Sequence, residues 1–177
     1  MNKIILTTLV GMFAVMAHAT EWKTYVNNGV GYSIEYPANL KHIPYKVWAP
    51  QGDPASSQQW RLQIFRAEGG KVDLEIYTHP TEKTLQEFFN DEIAKRTEGG
   101  DRINYSIIKD NWFVISGSNV KGFEFYHKLF MGESQEQGRW FVDFDFTYPI
   151  SQREIYDPIT SRIARSFNPN LPGQHDH

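Results

Sequence analysis

The sequence contains no cysteine, so no disulfide can hold the chain together and no thiol can act as a nucleophile or metal ligand. Its 177 residues carry 18 basic and 21 acidic side chains, which gives a formal charge of −3. This balance argues against nucleic acid as a partner, because nucleic-acid binding needs a basic surface. Stability must come from packing, and the aromatic content of 15% indicates a core rich in large rings.

Long apolar runs are also missing, apart from one at the N-terminus. Residues 4–16 are apolar except for two threonines and a glycine; Lys3 precedes them and Ala17-His18-Ala19 follows. A basic start, a short apolar run and an Ala-x-Ala site are the three parts of a secretory signal peptide. The run is too short for a membrane helix, which needs roughly 20 residues. We expect residues 1–19 to be a signal peptide of bacterial type, with an uncleaved anchor as the alternative.

This assignment predicts a periplasmic or secreted protein, and the lack of cysteine excludes a lipoprotein anchor at the cleavage site. The remaining chain has the length of one ordinary domain, which we place at residues 20–168. Residues 169–177 form a polar tail with two prolines, and we expect this tail to be disordered.

Alternating apolar and polar residues predict about seven strands that are adjacent along the chain. Two of them, at residues 60–64 and 72–76, are joined by Glu68-Gly69-Gly70-Lys71, which predicts a tight hairpin. Pairing these strands would place Arg61 and Gln63 on the same face as Asp73 and Glu75. Two helices are expected, over residues 84–98 and about 152–167. The first has the capping box Thr84/Glu87 and ends at Gly99-Gly100. Its helical spacing includes Glu92 and Arg96 beside an apolar stripe. The second has Ser151 as its expected cap, Pro158 as a kink or restart, and a core stripe of Ile155, Ile159, Ile163 and Phe167. The pattern predicts an α+β fold, with a central antiparallel sheet of six to seven strands and helices on its faces.

No catalytic motif, cofactor motif or phosphate loop is present, so we assign no catalytic, cofactor-binding or metal-binding residue. Asp143 and Asp145 share one face of a predicted strand, and Glu124 is expected on its neighbour. Such a group could serve a hydrolase or a metal site, although a solvated face of mixed charge is the simpler interpretation. His127 falls on the aromatic face of its strand, where a packed, hydrogen-bonded histidine is more common than a ligand.

Large aromatic residues near loops are the candidate partner-binding residues, since tryptophan and tyrosine often anchor interfaces. The alternative for each is burial in the core. The four candidates are Tyr45, Trp48, Trp60 and Trp112. The first three flank or border a long polar loop at residues 49–58.

Several short motifs, in this order, resemble the PsbP/Mog-type superfamily and its bacterial periplasmic branch. They are Gly31-Tyr32-Ser33-Ile34-Glu35-Tyr36-Pro37, Thr84-Leu85-Gln86-Glu87-Phe88, Gly122-Phe123-Glu124-Phe125-Tyr126, Tyr148-Pro149 and Arg165-Ser166-Phe167. The resemblance implies an antiparallel sheet with helices on both sides and a non-enzymatic accessory or binding role. It transfers no site residue to this chain.

Three functions therefore remain open at the level of sequence. The favoured one is an exported accessory or binding protein that docks a partner protein in the cell envelope. The alternatives are a small hydrolase or metal-binding protein that uses the acidic face, and a carrier of a small ligand or lipid between sheet and helix.

The signal assignment predicts that the exported chain begins at Thr20. N-terminal sequencing of protein from a periplasmic fraction should read Thr20-Glu21-Trp22. An Ala19→Arg variant should keep its signal, because signal peptidase reads a small residue at that position. An exported wild-type chain that still begins at Met1 would contradict the prediction.

Overall fold

Antiparallel pairing organises the residues that the computed structural model describes, namely 20–44, 62–134 and 138–169. The strands are β1 (Trp22–Asn27), β2 (Tyr32–Pro37), β3 (Leu40–Ile43), β4 (Leu62–Ala67), β5 (Asp73–Thr81), β6 (Arg102–Ile108), β7 (Trp112–Ser118), β8 (Phe123–Ser134), β9 (Gly138–Pro149) and β10 (Asn168–Pro169). The helices are α1 (Leu85–Glu98) and α2 (Arg153–Ser166), and a 3₁₀ turn, Ile150–Gln152, precedes α2. The expected signal peptide, the loop at 49–58 and residues 170–177 of the expected tail lie outside the described residues.

Within this described part, seven strands form one antiparallel sheet in the order β3-β4-β5-β9-β8-β7-β6. The predicted α+β class and the central antiparallel sheet are confirmed. A second sheet of three strands, ordered β1-β2-β10, was not predicted as a separate layer. It arises because β10 returns from the end of α2 to pair with β2. No helix among the described residues is long and apolar enough to cross a membrane.

The two faces of the main sheet carry separate apolar cores, because successive side chains of a strand point to opposite faces. On the α1 face, half-buried helix residues pack over five buried sheet residues: Phe113, Ile115, Phe125, Leu129 and Phe141. On the other face, α2 and the small sheet cover a larger core that includes Phe65, Leu74, Ile76, Val142, Phe144 and Phe146. Both faces are thus covered, as expected, but α1 itself contributes no fully buried residue.

The start and end of α1 agree with the sequence prediction. The Thr84 hydroxyl accepts a hydrogen bond from the Glu87 amide at 3.2 Å, and the Thr84 amide donates to the Glu87 carboxylate at 2.7 Å. This reciprocal pair satisfies donors that a helix N-terminus otherwise leaves free. Gly100 follows the helix with φ of +83°, a conformation that glycine adopts without a Cβ clash.

The sequence prediction for α2 is wrong in two details. The helix begins at Arg153 with no side-chain cap, so Ser151 lies in the 3₁₀ turn and does not cap it. Ile155, expected in the core, is 59% exposed. Residues spaced by four drift about 40° around a helix at each step, so a long stripe of that spacing leaves the buried face. The buried stripe instead consists of residues that lie three or four positions from one another: Tyr156, Ile159, Thr160, Ile163, Ala164 and Phe167.

The β4–β5 hairpin has the expected turn but not the expected faces. Gly69 and Gly70 both have positive φ in the tight connection. The register pairs Gln63 with Ile76, so Gln63 points to the opposite face from Asp73 and Glu75. The sequence pattern placed these three polar residues together, because it did not fix the offset that the turn imposes. Arg61, expected beside them, lies outside the described residues.

Gly117 on β7 is required by the close approach of β6. A Cβ added there would lie 2.0 Å from the Arg102 carbonyl oxygen, where the β6–β7 register is irregular. Gly117→Ala should therefore lower the free energy of unfolding by about 1–3 kcal/mol, measured by denaturant titration. Gly29→Ala is the matched control, because its Cβ would meet only the Asn27 side chain at 3.4 Å. Equal stability of the two variants would contradict this reading.

Candidate functional site

Five charged side chains meet between α1 and the sheet, and we call them the charge network. Glu92 and Arg96 lie one helical turn apart on α1, His127 lies on β8, and Asp143 and Asp145 lie on β9. The register places His127 directly opposite Asp145. Because residues two apart on a strand share a face, both aspartates point toward the helix.

Arg96 is the centre of the network. Its guanidinium donates to Glu92 at 2.6 Å and to Asp145 at 2.5 Å, and it lies 3.9 Å from the centre of the Phe125 ring. Only 13% of its side chain is exposed. A buried arginine is stable only with such partners, because an unpaired buried charge is costly. Arg96 therefore fastens α1 to β9.

His127 joins the helix and the sheet from the other side. Its Nε2 lies 2.8 Å from an Asp143 oxygen, and its Nδ1 lies 3.5 Å from Glu92, an ion-pair distance without hydrogen-bond geometry. Phe113 packs edge-on against the ring at 5.4 Å. Burial by itself lowers the pKa of His127, but Asp143 and Glu92 outweigh it and raise this pKa to about 10. The histidine is therefore an imidazolium at neutral pH, and its packed, hydrogen-bonded environment agrees with the prediction from sequence.

The carboxylates of this region respond to two opposing effects. Burial by itself raises the pKa of Glu92. Its interactions with His127 and Arg96 outweigh burial and bring this pKa down to about 2. Burial also raises the pKa of Asp143, and here His127 does not fully compensate. On β5, burial and the nearby Asp73 and Asp145 raise the pKa of Glu75, which lies directly opposite Asp145.

The network also contains polar atoms that lack a hydrogen bond. These buried atoms are His127 Nδ1, Asp143 Oδ1 and Asp145 Oδ1. Such atoms cost free energy. The same carboxylates are nevertheless committed on their other oxygens to His127 and Arg96, so the cluster is held together by internal pairs.

The acidic group expected from sequence does not form. Glu124 pairs with Tyr148 in the β8–β9 register, so it points to the α2 face, opposite to Asp143 and Asp145. Lys128, which pairs with Phe144, is also on the α2 face. Among the described residues no group of three or more acidic or histidine side chains is arranged to hold a metal ion. The pattern of alternation alone could not reveal this, because the register between the two strands decides the face.

Glu92 and Arg96 are the residues of this cluster that sequence reasoning did not assign to it. The signal that could have found them is their position on α1. Both continue the helical spacing of the stripe that faces the core, where charged residues need partners on the facing sheet.

On the opposite face, an open groove of about 320 Å³ separates α2 from the β6–β8 end of the sheet. Its lining combines aromatic, hydroxyl, amide and charged side chains. The lining residues are Asn104, Ser116, Gly117, Glu124, Phe125, Tyr126, Tyr148, Arg153, Asp157, Thr160 and Ser161. The Tyr148 hydroxyl donates to Asp157 at 2.7 Å, and the Arg153 guanidinium donates to Glu124.

The sheet beyond this groove carries the one predicted partner-binding residue that the structure describes. Trp112 on β7 is half-buried and packs against Phe130, with the Lys128 ammonium 5.6 Å from its ring centre. Tyr105 on β6, on the same face, is 52% exposed. Tyr45, Trp48 and Trp60 lie outside the described residues.

Comparison with known proteins bears on the fold. Neither a protein-family model nor a curated protein matches the chain. The solution structure of the cyanobacterial PsbP protein CyanoP from Synechocystis does match, with 16% identity and a TM-score of 0.55. The match covers 91% of this chain and 98% of CyanoP. The fold is PsbP/Mog-like.

Two further solved structures resemble this chain more distantly. The Ran-binding protein Mog1p of Saccharomyces cerevisiae has 11% identity and a TM-score of 0.48, over 85% of this chain and 96% of Mog1p. LpqN of Mycobacterium tuberculosis, involved in cell envelope biogenesis, has 8% identity and a TM-score of 0.49, over 84% and 90%.

The raised pKa of His127 predicts a specific pH dependence of stability. The ion pairs of His127 contribute fully below its ordinary pKa of about 6.5. Their contribution is lost as the pH rises toward about 10, because the unfolded state releases its proton first. The free energy of unfolding should therefore fall across this range, and the fall should be shallower in His127→Gln. Urea titrations at a series of pH values measure the difference.

His42→Gln is the matched control for this experiment. His42 is exposed and its ring lies 2.7 Å from Gln63, away from the charge network. Its variant should keep the wild-type slope. Parallel pH profiles for wild type and His127→Gln would show that His127 carries no such ion pair.

Proposed function

We propose that this protein is exported and acts in the cell envelope as a non-enzymatic binding or accessory protein that docks a partner protein. The observation that carries the proposal is the part of the sheet beside α2 that the described residues leave exposed. There Tyr105, Ile107 and Trp112 share one face of β6 and β7. We call this surface the β6–β7 face; it leads directly into the groove.

The composition of this face favours a protein partner. Tyrosine and tryptophan are enriched among residues that dominate binding energy, because they bury much area at little entropic cost. The groove is open and mixed in polarity, and its volume lies at the lower end of the range for small-molecule sites. Such a depression suits one or two side chains of a docked protein. Tyr45, Trp48 and Trp60 remain partner-binding candidates that are predicted from the sequence alone.

The state of the charge network supports a role other than catalysis. A general base must reach a proton of the substrate, yet the nitrogen Nε2 of His127 is occupied by Asp143 and the residue is only 6% exposed. The guanidinium of Arg96 similarly donates its hydrogen bonds to Glu92 and Asp145. The buried ion pairs of this network thus connect α1 to the sheet, and this favours binding over a hydrolase.

Site-specific photo-crosslinking in living cells tests the proposal. A photo-crosslinking amino acid at Tyr105 should yield one defined covalent adduct with an envelope protein. The same amino acid at Val26, which is 55% exposed on β1 of the small sheet, should not yield it. Trp112→Ala should lower the Tyr105 adduct roughly tenfold, the effect of losing about 1.4 kcal/mol of binding.

Thermal unfolding of Trp112→Ala must accompany this measurement, because the ring also packs on Phe130. Ile107→Ala gives a second test on the same face. Adducts of equal yield at Tyr105 and Val26, or no adduct at Tyr105, would refute docking at this face.

A further inference from the structure

The groove contains a buried carboxylate whose position is fixed by the sheet. Glu124 lies on β8 and is only 8% exposed. Backbone pairing on both sides, with Ser118 and Tyr148, holds its strand in place. A buried carboxylate requires a cation or several hydrogen-bond donors. Glu124 therefore needs such a partner in the groove, and the partner present is the guanidinium of Arg153.

The group that pairs with Glu124 is a half-exposed arginine at the first position of a helix. Arg153 donates its guanidinium to Glu124, yet 47% of the Arg153 side chain is exposed to solvent. It is also the first residue of α2. A cation at a helix N-terminus is disfavoured by the helix dipole, so the helix does not favour Arg153 in this position.

Without Arg153 the groove would be purely acidic. Among its lining residues Arg153 is the one cation, whereas Glu124 and Asp157 are both acids. The side chains of Asn104, Ser116 and Tyr126 add neutral polar groups around them. Once Arg153 leaves Glu124, the charge of the groove is therefore complementary to a cation supplied from outside.

We propose that the groove is a seat for an arginine side chain of the partner protein, and that Arg153 occupies it as an exchangeable stand-in. A guanidinium fits because its fork of donors matches a carboxylate, and the internal arginine demonstrates that the seat accepts this group. The proposal rests on the proposed function in that the incoming arginine belongs to the docked partner.

Titration with N-acetyl-arginine amide, followed by NMR, tests the seat directly. Removing the stand-in with Arg153→Ala should tighten binding roughly tenfold, as expected if Arg153 fills the seat in about nine molecules of ten. The ligand should also raise the melting temperature of Arg153→Ala more than that of wild type, because it restores a partner to Glu124. Glu124→Gln should abolish binding, and N-acetyl-lysine amide should bind more weakly.

Arg162→Ala is the matched control. Arg162 lies on the same helix, is 44% exposed and pairs with Glu35 at 2.8 Å, but it does not line the groove. Its variant should bind the arginine amide as wild type does. A gain in Arg153→Ala of less than threefold, or an equal gain in Arg162→Ala, overturns the proposal. If Glu124→Gln does not fold, the comparison of Arg153→Ala with Arg162→Ala is sufficient to test the proposal.

The crosslinking experiment separates this inference from the proposed function. If the Tyr105 adduct forms equally well in wild type and Glu124→Gln, a partner docks without using the seat, and the inference fails while the function stands. If arginine amide binds as expected but Tyr105 yields no adduct, the seat exists and docking at the β6–β7 face is refuted.

Discussion

The register between β8 and β9 is the constraint on which the rest of the structure depends. The two strands pair over twelve residues each, from Phe123 opposite Pro149 to Ser134 opposite Gly138. Because side chains alternate between faces, this single register assigns every residue of both strands to α1 or to α2. A slip by one residue would exchange the buried charges of one face with the aromatic core of the other.

The two faces use this assignment differently. On the α2 face the stabilisation is apolar, and Phe144, Phe146 and Ile163 are fully buried. On the α1 face the helix has no fully buried residue, so the ion pairs of Arg96 and His127 add a connection that the modest apolar contact of α1 does not provide alone. Removing one partner of such a pair would leave a buried charge without compensation, which is why these contacts fix the position of the helix.

Features that depend on neighbouring residues could be predicted from the sequence, whereas the offset between strands that pair over a long distance could not. The capping box of α1, the glycines of the β4–β5 turn and the order of the strands depend on a few neighbouring residues. The face of Glu124 depends on pairing with Tyr148, a residue more than twenty positions away, and that of Gln63 depends on the turn offset. Ile155 was misplaced for a related reason, since a four-residue spacing does not follow the helical repeat over three turns. The charge network depends both on the offset between paired strands and on the helical repeat, because it unites residues of α1, β8 and β9.

Two arginine–carboxylate contacts in this molecule differ in what they can do. Arg96 is 13% exposed, with three acids and an aromatic ring around it, and its release would also expose the surface beneath α1. Arg153 is 47% exposed and contacts a carboxylate that is itself only 10% exposed at the side chain. In the first contact the arginine and its acidic partner are both largely buried, whereas in the second only the acid is buried. An exchange of cations therefore requires no movement of the sheet at Glu124, while at Asp145 it would require α1 to leave. An arginine–carboxylate pair therefore holds the helix on the sheet at the α1 face, whereas at the α2 face the arginine of such a pair can be replaced.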